Sequence, residues 1–281
     1  MDNLIQGQSE EAFSRRSLFH LSFFSTCVFI FAALVVQFFL TLQTAVLLKV
    51  FSYPFQYSLF TIKYLSNSSS GWSTEQVFFV FVSGPLLLSV IGMRFLWALN
   101  GSIISSWKNS LILTWITFLL VHALPCGIIA GAFCFDYFGI AFQWISTNYL
   151  MNGFAALLVI LILVMSSRLW LFLFLKTSFT PVILNNSDYR RSYFKSVFLK
   201  PWIYGMIVLL FFNWPFNSFY WPVFLSSLGF LTIYSSNRLS MVPDMEITDT
   251  GSEIFISRAQ VLYVVLGLVL IWMAGEIKLK F

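Results

Sequence analysis

Between Gly153 and Leu175 the chain carries a single charge, Arg168. A stretch of about 20 apolar residues is long enough to cross the hydrocarbon of a bilayer as a helix. Only helices and closed barrels satisfy their backbone polar groups in that medium. Similar runs recur along the 281 residues, at about 19–47, 76–99, 111–133 and 148–175. Two shorter runs follow at 201–212 and 219–236, and a last one at 259–275. The chain is 59% hydrophobic and 10% charged, against about 25% charged in an ordinary globular domain. That surplus of apolar surface has to face something other than water. The expectation is an all-α polytopic integral membrane bundle with six or seven transmembrane helices.

Residues 1–17 read as a polar cytoplasmic tail, and 18–281 as one transmembrane helical domain. Arg15-Arg16 precedes an apolar run far longer than the 7–15 residues of a signal-peptide core, and no small-x-small site ends it. The pair therefore reads as the flank of an uncleaved anchor. Residues 49–75 have loop composition, with Lys49, Lys63 and the run Asn67-Ser68-Ser69-Ser70-Gly71. Asn67-Ser68-Ser69 also matches a glycosylation sequon. Residues 237–258 form an acidic loop with Asp244, Glu246, Asp249 and Glu253. Asn213-Trp214-Pro215-Phe216-Asn217 is a turn between two short spans or at the tip of a re-entrant hairpin.

The segment 185–200 carries Arg190, Arg191, Lys195 and Lys200 among Tyr189, Tyr193, Phe194, Val197 and Phe198 at helical spacing. Such a basic amphipathic helix is expected to contact anionic lipid at the cytoplasmic face. The alternative is a solvated loop that obeys the charge rule for orientation. With the N-terminus inside, the inner segments hold 12 of the 16 Lys and Arg, leaving Lys49, Lys63, Lys278 and Lys280 outside. That asymmetry points to N-in, C-out with seven crossings, in a membrane read as a bacterial inner membrane.

His122, Cys126, Cys134 and Asp136 concentrate the reactive side chains. His122 and Cys126 share a helix face, but Pro125 and Gly127 disturb that helix and no CxxC or HxxxH supports a metal site. Hydrogen-bonded histidine and structural thiols are the plainer reading, and no metal or cofactor is expected. Asp136 with His122 forms a candidate polar pathway, because carboxylates at membrane depth are costly and usually functional. An odd set of three cysteines in apolar runs argues against a disulfide framework. The chain contains no P-loop, GxSxG or HExxH. Net charge is +5, but its basic residues cluster at span ends, so nucleic acid is not an expected partner. Helices are expected to pack through Gly84, Gly127, Gly131 and Gly153.

Ala33-Leu34-Val35-Val36, Ala45 to Lys49 and Phe51-Ser52-Tyr53-Pro54-Phe55, followed by Val82-Ser83-Gly84-Pro85-Leu86, resemble the frame of site-2-protease-like membrane metalloproteases. In that resemblance Asp136 stands near the family's third metal ligand. The family's HExxH falls where this chain reads Leu40-Thr41-Leu42-Gln43-Thr44. No imidazole pair or general-base carboxylate is present there, so the resemblance implies a non-catalytic relative that binds peptide or transmembrane segments. The leading expectation is a non-enzymatic multi-pass protein, a structural or accessory subunit of a larger membrane assembly. A transporter or permease subunit is the alternative.

Overall fold

The computed structural model describes residues 15–58, 61–64, 71–101, 106–134, 137–145, 148–178, 186–213, 223–229 and 278–280. Helix α1 spans Arg15–Val50, followed by strands β1 Phe55–Ser58 and β2 Thr61–Tyr64. Helices α2 Thr74–Gly101, α3 Trp107–Val121, α4 Ala123–Phe133, α5 Phe138–Ile145 and α6 Tyr149–Lys176 follow. Helix α7 Ser187–Phe194 continues through a π-helical turn, Lys195–Leu199, into α8 Lys200–Asn213. Residues 223–229 are helical, and β3 is Lys278–Lys280. Most of the N-terminal tail, the whole of the last span and the acidic loop lie outside the described residues.

Among the described residues, four helices are long and apolar enough to cross a membrane: 18–50, 74–100, 149–176 and 187–211. A fifth span results if α3 and α4, bent by 46° at their junction, count as one. The runs expected at 201–212 and 185–200 are parts of a single helix. The basic segment therefore opens a helix long and apolar enough to cross a membrane, and its inner face is buried. Arg190 lies on that face at 7% exposed, whereas Arg191, Lys195 and Lys200 are exposed.

Local chemistry explains the helix ends. Helix α1 stops in a Schellman motif: Tyr53 N–H bonds to Leu48 O and Ser52 N–H to Lys49 O. Ser52 takes the left-handed position at φ 60, and Pro54 follows where a helix cannot continue. Helix α2 opens with a reciprocal cap, Gln76 N–H to Ser73 Oγ at 3.2 Å and Ser73 N–H to Gln76 Oε1 at 3.0 Å. The Asn148 and Asn186 side chains cap α6 and α7 by accepting from backbone N–H groups of the first turn.

One departure from an all-α reading is a small antiparallel sheet, ordered β2-β1-β3. Gln56 pairs with Lys63 on one side and Lys280 on the other. Phe55 is buried against the helices, and Tyr57 and Ile62 pack beside it. The sheet therefore covers one end of the bundle, called here the sheet end. The opposite end, where α1 begins, holds Lys108, Lys176 and Arg191. Lys176 Nζ donates to Leu99 O at 3.3 Å and Asn100 O at 3.4 Å, joining the ends of α6 and α2. Trp144 Nε1 donates to Thr74 Oγ1 at 3.2 Å, joining α5 to the start of α2 at the sheet end.

Helix α1 is the axis of packing, touching α2, α3, the π-turn and α8, while α4 contacts α2, α5 and α6. Between apolar helices in a bilayer the hydrophobic effect supplies little, so close packing and interhelical hydrogen bonds decide the assembly. The packing centre is Trp115, fully buried. Phe29, Phe174, Phe198 and Phe118 surround it, with ring centroids 4.8 to 5.6 Å away. Outward, Phe79, Leu87, Trp97, Leu150, Met165 and Phe211 are all more than half exposed, a surface suited to lipid and costly in water.

Candidate functional site: the broken helix at His122

The bend between α3 and α4 follows from Pro125. A proline removes the N–H that would bond the carbonyl four residues earlier and pushes that carbonyl aside. Here the carbonyl belongs to Val121. Across the gap, the Ser89 hydroxyl of α2 lies 3.1 Å from Val121 O and 3.3 Å from Leu120 O. It also accepts from Leu124 N–H at 2.9 Å. One hydroxyl thus serves the carbonyls and the amide that the bend removes from the helical ladder. Such groups cost several kcal/mol each if left bare in hydrocarbon. Gly92, one turn along α2, allows the approach. A Cβ built there would stand 2.5 Å from Val121 N and 2.8 Å from Leu120 C.

His122 sits at the corner, 2% exposed. Its Nδ1 donates to Phe118 O at 2.5 Å, which fixes the proton on that nitrogen. Phe118 and Trp170 flank the imidazole, with centroids at 4.6 and 5.1 Å. Cys126, fully buried, meets the Ser227 hydroxyl on residues 223–229, and Ser227 itself donates to Phe224 O at 2.6 Å. The candidate pathway of His122 and Asp136 is therefore described at one end: His122 is enclosed by aromatics, and Asp136 lies outside the described residues. Cys27, Cys126 and Cys134 are free thiols, all buried. Among the described residues no three of His, Cys, Asp and Glu converge as metal ligands would.

Three further interhelical bonds tie the bundle together. Trp115 Nε1 donates to Ser25 Oγ at 2.8 Å, and Ser25 Oγ donates to Val197 O at 2.6 Å. Gln43 Nε2 donates to Ser83 Oγ at 2.6 Å, and Gly84 beside it packs on Gln43. Sequence reasoning flagged Ser83, Gly84 and Pro125 but missed Ser89, Gly92 and Ser25. The usable signal for Ser89 was a serine and glycine three apart, one turn beyond a proline notch. That pattern is common in membrane helices and gains meaning only when the facing helix is known.

No family model matches the chain, and no curated protein or solved structure matches it either.

Proposed function

We propose that the protein is a non-enzymatic multi-pass subunit of a larger membrane assembly, docking through the outer face of α6. The observation that carries this reading is Arg168. Leu150, Phe154, Leu157, Leu161, Met165, Leu169 and Phe172 make one exposed ridge along α6, and Arg168 is exposed on the same helix. An arginine inside an apolar helix face is costly unless something pairs with it. The only carboxylates among the described residues, Glu75 and Asp188, occupy the first turns of other helices. A partner span that brings a carboxylate to Arg168 satisfies both the charge and the ridge. The test is purification in mild detergent, comparing Arg168→Ala with the wild-type chain. The reading expects a co-purifying membrane protein that the substitution releases. A lone monomer in both preparations counts against it.

Topology belongs to the same proposal. α1 ends at the sheet end, and β3 pairs with β1 there. An even number of crossings between them, and so an odd total, is what this pairing supports. Seven crossings, N-in and C-out, fit that parity and the charge asymmetry, whereas six do not. Trp202 Nε1 donates to Leu225 O at 3.1 Å, and a Cβ on Gly229 would meet the same indole. Residues 223–229 thus lie beside the start of α8 after the chain has turned back from its far end, which favours a return crossing over a shallow hairpin. The transporter reading draws support from the broken helix alone, since broken helices often line substrate sites. Solute flux in proteoliposomes that is lost in Asp136→Asn would favour it.

A further inference from the structure

The outer face of α2 carries a second exposed arginine with a different setting. Ser89, Val90, Met93, Arg94 and Trp97 line an open cleft of about 490 Å³. Val90 and Met93 are more than half exposed, and Trp97 is 79% exposed. Their order along α2 is informative. Val90 and Met93 stand on the side of the helix break, at mid-bundle. Arg94 and Trp97 stand nearer the end where Lys176 caps Leu99 and Asn100. Five residues separate Arg94 from Leu99, a rise of about 7.5 Å. The cleft therefore grades from apolar floor, to guanidinium, to an exposed indole, within one layer of basic residues. An exposed tryptophan beside long cations marks the headgroup level of a bilayer. The cleft persists because the Ser89 hydroxyl is turned toward α3 and α4 and Gly92 draws α2 against Val121, leaving the opposite edge uncovered.

We infer that this cleft holds one anionic phospholipid, with its phosphate on Arg94 and an acyl chain along Val90 and Met93. Charge complementarity selects the occupant. The guanidinium offers paired donors to a phosphate, and α2 contains no carboxylate after Glu75 to compete for them. A partner span would need to bury Trp97 and bring its own acid to the membrane interface, whereas an anionic lipid supplies phosphate and chain together. The inference rests on the membrane reading above, but it does not depend on any partner protein at α6.

Native mass spectrometry of the full chain, reconstituted with phosphatidylglycerol or with phosphatidylcholine, tests the site. The wild-type chain should retain one phosphatidylglycerol in preference to phosphatidylcholine. Arg94→Gln should weaken that retention at least tenfold, and Arg168→Gln should leave it unchanged. Met93→Trp keeps the charge but fills the cleft, and should also lose the lipid; it decides the matter if Arg94→Gln does not fold. Equal retention of both lipids, or full retention in Arg94→Gln or Met93→Trp, would overturn the inference. So would displacement of the lipid by millimolar inorganic phosphate, which would make the site one for a free anion. Loss of a co-purifying protein in Arg168→Ala reports on the α6 interface separately, so the two proposals can fail independently.

Discussion

Ser25 and Val197, 172 residues apart, are joined by a 2.6 Å hydrogen bond from hydroxyl to carbonyl. The carbonyl belongs to the π-turn between α7 and α8. π-turns shift the hydrogen-bond ladder by one residue and recur where a helix is shaped for a purpose. The turn sets Val197 and Phe198 against α1 and α3, with Phe198 stacked on Phe174 at 4.2 Å.

Ser25→Ala removes the acceptor for Trp115 Nε1 and the donor for Val197 O together. The expected loss is about 1–2 kcal/mol, the upper part of the range for interhelical hydrogen bonds in membranes. Thermal unfolding in detergent should show a lower midpoint. Trp115→Phe in the Ser25→Ala background should cost less than it does alone, because the two groups share one bond. Strict additivity of the two substitutions would mean that the bond contributes nothing.

At the broken helix, Ser89→Ala and Gly92→Ala act by different routes. The first leaves Val121 O and Leu124 N–H without their donor and acceptor on α2, at about 1–3 kcal/mol. The second forces a methyl group against backbone at Val121, which cannot swing aside as a side chain would. Gly92→Ala is therefore expected to be the more damaging, with α2 displaced from α3. Thermal midpoints and cysteine crosslinking between α2 and α3 would measure both. A Gly92→Ala protein as stable as the wild type would contradict the close approach.

Tyr57 on β1 supplies a pH-dependent readout. Burial raises its phenol above the ordinary value of 10.0, and a hydrogen bond with the Thr41 side chain pulls the other way. A phenol with a raised folded-state pKa keeps its proton longer when folded than when unfolded. Its contribution to stability is complete below about pH 10 and is lost as pH climbs through the folded value. Absorbance titration should show Tyr57 ionising late, and Tyr57→Phe should flatten the alkaline fall in stability. Thr41→Val should delay ionisation further. An earlier ionisation in Thr41→Val would reverse the assigned role of the hydroxyl.

The spans were legible because hydrocarbon imposes length and composition directly. Gly153 to Leu175 could be little else, and α6 covers it. The helix bend was legible only roughly. Pro125 and Gly127 announced it, but the corner falls at His122, since proline disturbs the carbonyl four residues upstream. The sheet was not legible. Phe55-Gln56-Tyr57-Ser58 alternates too briefly to stand apart from a loop, and its partner at Lys278–Lys280 lies more than 200 residues away. In the basic stretch after Asn186, Tyr193, Phe194, Val197 and Phe198 are buried together with Arg190, and its continuity with α8 was hidden because the charge density stops at Lys200 where the apolar run begins. Pro201 falls in the first turn of α8, beside a π-turn that absorbs the missing amide. Gly153, expected as a packing notch, has open space where a Cβ would stand. It faces outward, as small residues also can, and composition gives no direction.

The pairing of Gln56 with Lys280 turns the topology into a chemical experiment. Directly opposed residues in antiparallel strands have Cα atoms about 4.5–5.5 Å apart, within the reach of a disulfide. The chain's own three cysteines are buried and should not compete. Gln56→Cys with Lys280→Cys should therefore crosslink under mild oxidation in intact membranes, as should Gln56→Cys with Lys63→Cys across the other ladder. Either disulfide should be reduced by an impermeant reagent from one side only, and from the same side for both. Crosslinking of the Lys63 pair without the Lys280 pair would detach the last strand from the first loop. The structural argument for an odd number of crossings would then fall, because among the described residues this ladder is what ties β3 to the side on which α1 emerges, and the charge asymmetry alone would remain.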